Sequence, residues 1–147
     1  MAPTEILPGL WIGDQNDSQS YLFIKEKNIH IIINCTPDIP FLVGEHNLEK
    51  KRISLQDSPQ DNQKMYQNLE YLTYFIYRTL NKNQNIFIHS VKCEQRAPTI
   101  VAAYFIRYGK VNANQAIKYI QSKSPQTFRP FPTFDYSLHQ FAKDMTK

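Results

Sequence analysis

Apolar positions recur along this chain with two different periods, and the switches between them lay out its elements. Residues 6–13 alternate apolar residues with turn formers, which predicts two short strands around Pro8-Gly9. Asp17 or Ser18 is placed to cap a helix running to about Lys27, with Tyr21, Leu22 and Ile24 facing inward. The β-branched run 30–34 reads as a buried parallel strand. Pro37, Pro40 and Gly44 mark a loop, and residues 51–55 read as another strand. Met65, Leu69, Leu72, Ile76 and Leu80 follow helical spacing, so 62–80 is predicted as an amphipathic helix. A strand over 85–89 and a helix over 98–108 come next, and Gly109 stands where a left-handed C-terminal residue belongs. Asn112 and Gln115 have capping-box spacing for a helix to about Lys123. A last helix covers 133–145, with Phe134, Leu138 and Phe141 inward.

Alternating strands and helices predict an α/β fold, with a central, mostly parallel sheet flanked by helices. The chain has the size of one domain, residues 1–147, and shows no internal repeats. A hydrophobic content of 41% with 20% charged residues fits a packed globular chain and excludes a disordered one. No stretch approaches the ~18 uninterrupted apolar residues of a membrane span. The start, Met1-Ala2-Pro3-Thr4-Glu5, lacks the basic segment and apolar core of a secretory signal. Two cysteines, Cys35 and Cys93, cannot make a disulfide framework and point to a reducing, intracellular setting, cytoplasmic or nuclear. The net charge of +4 modestly favours anionic partners and is too small to imply nucleic acid.

Residues 86–99 hold most of the chemistry. An apolar run ends at His89, a short polar segment follows, and Arg96 opens the next apolar-periodic stretch. That order reads as buried strand, tight loop and helix, with the first N–H groups of the helix directed into the loop beside Arg96. Such an arrangement binds a tetrahedral oxyanion through free N–H donors, the positive helix end and a bidentate guanidinium. In an open α/β sheet it also falls beyond the carboxyl ends of the strands, where sites in these folds lie.

The segment His89-Ser90-Val91-Lys92-Cys93-Glu94-Gln95-Arg96 resembles the His-Cys-x5-Arg signature of cysteine-dependent protein phosphatases at every framework position but one. Ser90 stands where that family has its nucleophilic cysteine. The resemblance is to the dual-specificity branch and covers roughly Ile6 to Phe141. Pro8-Gly9-Leu10-Trp11-Ile12-Gly13 resembles the family's opening, and Ile32-Ile33-Asn34-Cys35-Thr36 its strand ending in Asn and a small residue. Ile53-Ser54-Leu55-Gln56-Asp57-Ser58 is similar to the strand and loop that carry its general-acid aspartate. Arg96-Ala97-Pro98-Thr99 with Ala103-Tyr104 resembles the helix after the signature.

The resemblance implies a role for each site residue. A cysteine at position 90 would attack phosphorus as a thiolate, its pKa lowered by the helix end and Arg96. A serine hydroxyl is much further from ionisation, and no base is obviously placed to take its proton. Val91, Lys92, Cys93, Glu94, Gln95 and Arg96 would supply the phosphate-binding loop, with Ser90 adding a hydroxyl and His89 a structural role in holding the loop. Asp57, which precedes Ser90 by 33 residues (90 − 57), matches the general acid; its alternative reading is a turn or cap residue in Asp57-Ser58-Pro59. Arg96 reads as the oxyanion ligand, or else as an ion-pair partner of Glu94 or Asp57. Cys93 stands where the family usually has glycine, so its side chain is expected to strain the loop or crowd the pocket unless it is simply tolerated; a displaced nucleophile is the other reading. Ala97 replaces a common Ser or Thr whose hydroxyl helps the cysteine leave.

The leading expectation is therefore an inactive dual-specificity phosphatase that still binds phosphorylated protein segments, needing no cofactor and no metal. The alternative is an active phosphatase for phosphotyrosine, phosphoserine and phosphothreonine, if Ser90 is an engineered replacement. A relative of RNA or phosphoinositide phosphatases is the third reading. Lys92 offset by Glu94 argues against a lipid substrate, and the presence of Asp57 against RNA. No partner protein and no oligomeric state follows from the sequence.

Overall fold

The computed structural model describes residues 2–44 and 47–146; Met1, Glu45, His46 and Lys147, all within the expected domain span, lie outside the described residues. One sheet is built from β1 (Thr4–Leu7), β2 (Leu10–Gly13), β3 (Ile29–Asn34), β4 (Glu49–Arg52) and β5 (Asn85–His89), in the order β1-β2-β5-β3-β4. The helices are α1 (Gln15–Ser18), α2 (Tyr21–Glu26), α3 (Asn62–Asn81), α4 (Arg96–Tyr108), α5 (Ala113–Lys123) and α6 (Asp135–Met145). β2, β5, β3 and β4 are parallel, and β1 alone is antiparallel, turned back on β2 through Pro8-Gly9. The expected mostly parallel sheet with flanking helices is present.

The central strands are apolar on both faces because both faces are covered. Ile31, Ile33, Ile86 and Ile88 pack into the main core with Met65, Leu69, Leu72 and Ile76 of α3 and the inner faces of α4, α5 and α6. Ile29, Ile32 and Phe87 face the other way, onto Phe23 and Ile24 of α2. The Asn112–Gln115 capping box forms as expected, with Asn112 accepting from the Gln115 N–H at 2.8 Å and Gln115 from the Asn112 N–H at 2.9 Å.

Four expectations are corrected. The single helix over 17–27 is two short helices. Asp14, not Asp17 or Ser18, caps the first through a reciprocal pair with Asp17, each carboxylate accepting the other's N–H at 2.9 Å. Ser20 then starts the second by accepting from the Phe23 N–H at 3.2 Å. This restart turns Phe23 and Ile24 inward and leaves Tyr21 and Leu22 exposed.

The strand expected over 51–55 is β4, shifted to Glu49–Arg52. Its partner β3 ends at Asn34, whose side chain turns away to accept from Thr36 and donate to the Ile39 carbonyl. With no strand left to pair, Leu55 drops into the core instead.

Gly109 is right-handed, with φ −90°, and the left-handed residue is Lys110 at φ 58°. Glycine is needed at 109 for closeness: its N–H meets the Phe105 carbonyl at 2.7 Å, and a Cβ would lie 2.7 Å from that same oxygen. Finally, α4 begins at Arg96 rather than Pro98, which places Pro98 in the first turn, where its missing N–H costs nothing.

Candidate functional site

β5 ends at His89, level with Gly13 of β2 and Asn34 of β3. The chain then runs through residues 90–95 into α4 at Arg96, so the loop sits over the carboxyl ends of three strands. Close packing starts just beneath it. A Cβ on Gly13 would meet Asp17 Oδ2 at 2.6 Å and the Phe87 ring at 2.8 Å.

The loop is held from outside by its carbonyls. Val91 O accepts from the Gln15 N–H at 3.0 Å, Glu94 O from the Phe128 N–H at 2.6 Å, and Gln95 O from the Thr99 N–H at 3.0 Å. Among the described residues, none of the N–H groups of residues 91–97 donates a hydrogen bond, and α4 has no side-chain cap. Carbonyls already engaged and N–H groups left free are what a nest for an anion at a helix N-terminus requires.

Asp57, Ser90, Val91, Lys92, Glu94, Gln95 and Arg96 line one open cavity of about 250 Å³. Every residue singled out for phosphate binding except Cys93 therefore borders the same space. Lys92 and Arg96 face Asp57 and Glu94 there, so formal side-chain charges cancel. An anion would be drawn by the N–H donors and the guanidinium fork rather than by net charge.

Arg96 is buried, and its Nη1–H donates to the Leu55 carbonyl at 2.8 Å. The rest of its fork makes no hydrogen bond or ion pair among the described residues, with Glu94 and Asp57 included. Asp57 is exposed, and among the described residues its carboxylate accepts no hydrogen bond. The cap and turn work of its segment falls to neighbours. Ser58 accepts from the Gln60 N–H at 3.2 Å, and Asp61 accepts from the Gln56 N–H at 2.6 Å.

Among the described residues the Ser90 hydroxyl is buried without a hydrogen-bond partner, as are both ring nitrogens of His89. Burial, helped by the nearby Arg52 and Arg96 charges, pushes His89 down to about 4, so the ring is neutral near pH 7. It stacks on Phe87 at a centroid distance of 5.6 Å, and its backbone carbonyl holds the Cys35 N–H at 2.9 Å. His89 thus ties the loop's start to the sheet through its backbone.

Cys93 is the one loop residue turned away from the cavity. Its side chain is 1% exposed within the main core, and its backbone is left-handed at φ 59°. The expected strain is present, and the expected crowding is not. Burial, then the Asp17 carboxylate, pushes its thiol well above the usual range, so it stays protonated. Cys35 behaves likewise, pushed up to about 12 by burial. A displaced nucleophile at Cys93 has neither the position nor the ionisation it needs.

One site residue's larger part was missed in the sequence. Gln95, also buried, donates from Nε2 to the Arg129 and Phe131 carbonyls, each at 3.0 Å, and accepts from the Thr133 N–H at 2.9 Å. It ties the 129–133 segment to the wall of the cavity. The available signal was Pro130 and Pro132. Prolines keep the residues before them extended, and the carbonyls at 129 and 131 then need donors from elsewhere.

Among the described residues no group of three or more His, Cys, Asp or Glu is placed to hold a metal ion, and no helix is long and apolar enough to cross a membrane.

Comparison with known proteins bears on the whole of this arrangement. The model of the dual specificity phosphatase catalytic domain matches residues 10–144. The chain is 27% identical over 143 residues to MAP kinase phosphatase with leucine-rich repeats protein 3 of Dictyostelium discoideum, a match covering 95% of this chain and 16% of that protein. It is 29% identical over 121 residues to human dual specificity protein phosphatase 6, covering 82% of this chain and 32% of that protein. The chain thus spans less than a third of the length of either relative. The crystal structure of a variant of human DUSP28 superposes with a TM-score of 0.90 at 16% identity, covering 99% of this chain and 97% of that one. At that identity the likeness speaks for the fold.

Proposed function

Because the chain belongs to the dual specificity phosphatase catalytic-domain family, we propose that it binds phosphorylated protein segments at residues 90–96 and does not hydrolyse them. The observation that carries this reading is the Ser90 hydroxyl, buried and bonded to nothing. A serine attacks phosphorus only when a base within about 2.6–3.2 Å removes its proton. Ser90 has no such neighbour, and His89 beside it makes no hydrogen bond to it. The same free hydroxyl is a donor for a phosphoryl oxygen. With the free N–H groups of 91–97 and the open side of the Arg96 fork, it offers a tetrahedral dianion several donors.

Phosphorylated protein is favoured over a phosphoinositide because the cavity's side-chain charges cancel, leaving little attraction for a polyanionic headgroup. The exposed Asp57 carboxylate on the same cavity supports a second reading. Asp57 would then serve as the leaving-group acid of an active phosphatase whose cysteine at position 90 has been replaced. Under that reading Ser90→Cys alone gives ordinary turnover; under the first it gives weak turnover, because Ala97 supplies no hydroxyl to help the cysteine leave.

Titration of the purified protein with inorganic phosphate or tungstate tests the leading reading. The amide signals of residues 91–97 should shift, Arg96→Ala should abolish the shift, and an aryl phosphate should turn over no faster than in a blank. A Ser90-dependent rate within about a hundredfold of an ordinary ~10 s⁻¹ would refute silence. Unmoved amides in the unaltered protein would refute binding.

A further inference from the structure

A larger cavity lies at the other end of the sheet. It occupies about 400 Å³ between the edge strand β4 and α3, and its lining includes Ile31, Lys51, Tyr71, Tyr74, Arg78 and Lys82. Gln84, just before the first residue of β5, also lines it, so it lies toward the amino ends of the strands, away from residues 90–96.

Its chemistry is aromatic and cationic. Lys51 sits over the rings of Phe75 at 4.4 Å and Tyr71 at 5.3 Å, with Glu49 at 3.7 Å as its partner. Arg78 lies over Tyr74 at 5.8 Å. Arg78, in the last turn of α3, and Lys82, just past its end, line the same cavity. Among the described residues neither has a carboxylate within 4 Å. Tyr71 and Tyr74 are about half exposed, at 51% and 47%.

β4 is also an outer strand, with only β3 beside it. Glu49 and Lys51 point toward α3, whereas Lys50 and Arg52 lie over Phe41, at 6.0 and 5.0 Å. Both faces of this edge therefore carry positive charge. Lysines on an edge turn away neutral and basic strands, a common guard against edge-to-edge pairing. An acidic strand meets the opposite sign on both faces.

We propose that this groove docks an extended acidic segment of a partner protein, which adds to the sheet as a strand beside β4. Main-chain hydrogen bonds to the edge give affinity, and alternate side chains pass under α3. Carboxylates at those alternate positions meet Lys51, Arg78 and Lys82 beside the tyrosines, and the aliphatic residues between turn to the other face, toward Phe41. The four residues of β4 fit a segment of four to six residues. This surface is separate from the oxyanion loop and does not depend on its function.

The test is a titration of the full isotope-labelled chain with a capped six-residue peptide alternating Glu and Val, and with its Lys-for-Glu counterpart. With the acidic peptide, amides of residues 49–52 and 74–82 should shift, and affinity should fall as salt is raised. Arg78→Glu with Lys82→Glu should weaken binding about tenfold or more, the scale of several exposed charge pairs reversed together. Arg78→Gln with Lys82→Gln should weaken it less, in the same direction. The phosphate response of residues 91–97 should survive in both variants. Equal binding of the Lys peptide, shifts confined to 91–97, no shift at all, or indifference to charge reversal would each overturn the proposal.

Discussion

Replacing Cys93 by alanine and by glycine, side by side, isolates the strain at the oxyanion loop. Cys93 is left-handed at φ 59° and 1% exposed, so both changes remove the same buried sulfur. They differ in one carbon and in backbone freedom. At an ordinary φ, glycine would be worse than alanine by about 0.5–1 kcal/mol of chain entropy and about 0.8 kcal/mol for the lost carbon, some 1.5 kcal/mol together. A Cβ in the left-handed region costs about 1–2 kcal/mol, which glycine removes and alanine keeps. The two effects cancel. Urea unfolding at pH 7 should therefore place Cys93→Gly and Cys93→Ala within about 1 kcal/mol of each other, both below the unaltered protein because of the lost sulfur. Since the side chain points away from the cavity, the phosphate response of residues 91–97 should persist in both. A glycine variant less stable than the alanine variant by the full ~1.5 kcal/mol would refute the strain, and with it the argument that position 93 holds a glycine-like backbone.

Two further outcomes follow from buried polar groups. Gln95→Ala removes three hydrogen bonds to residues 129–133 and should cost about 2–4 kcal/mol, with faster hydrogen exchange at the Thr133 amide; a loss below about 1 kcal/mol would show that the segment is held by other means. Burial pushes Asp17 up to about 6 and His89 down to about 4, so between pH 4 and 6 folding takes up a proton at one and releases one at the other. Their opposed slopes, each at most ~1.4 kcal/mol per pH unit, should leave the stability profile nearly flat, whereas Asp17→Asn leaves the His89 slope alone and stability should then rise from pH 4 to 6.5. A variant whose stability stays level or falls across that window, measured by urea unfolding, would contradict the assignment.

Features readable in the sequence are those decided within one turn or one strand. The run 85–89 is β5 to the residue, because five apolar-rich positions between turn formers admit little else. The helix expected over 62–80 is α3 with one residue added, since its core positions repeat at helical spacing over five turns. Where several caps compete, locality fails. Asp14, Asp17, Ser18 and Ser20 are all cap formers, and the reciprocal Asp14–Asp17 pair wins because α1 must end before Phe23 can reach Phe87 in the second core. The length of β4 was hidden for a related reason. Its end is set by where Asn34 leaves the sheet, and nothing within 51–55 records that.

The oxyanion loop divides along the same line. Ser90 to Arg96 are consecutive, so a strand, a bend and a helix start suffice to bring their N–H groups together, and the cradle is legible. Its meeting with Asp57 rests on a contact 41 residues long, from the Arg96 guanidinium to the Leu55 carbonyl, which no local pattern announces. Only the ordered resemblance across the chain suggested that these segments would face one cavity. The contact also shows why the arginine suits its place better than a lysine. A fork can give one N–H to a backbone carbonyl and still present others to an anion, whereas a single ammonium is drawn toward one or the other. Arg96 thus closes the Asp57 segment over the cradle and lines the cradle with the same group. On the proposed function, one side chain would then set both the acid's reach and the grip on the anion.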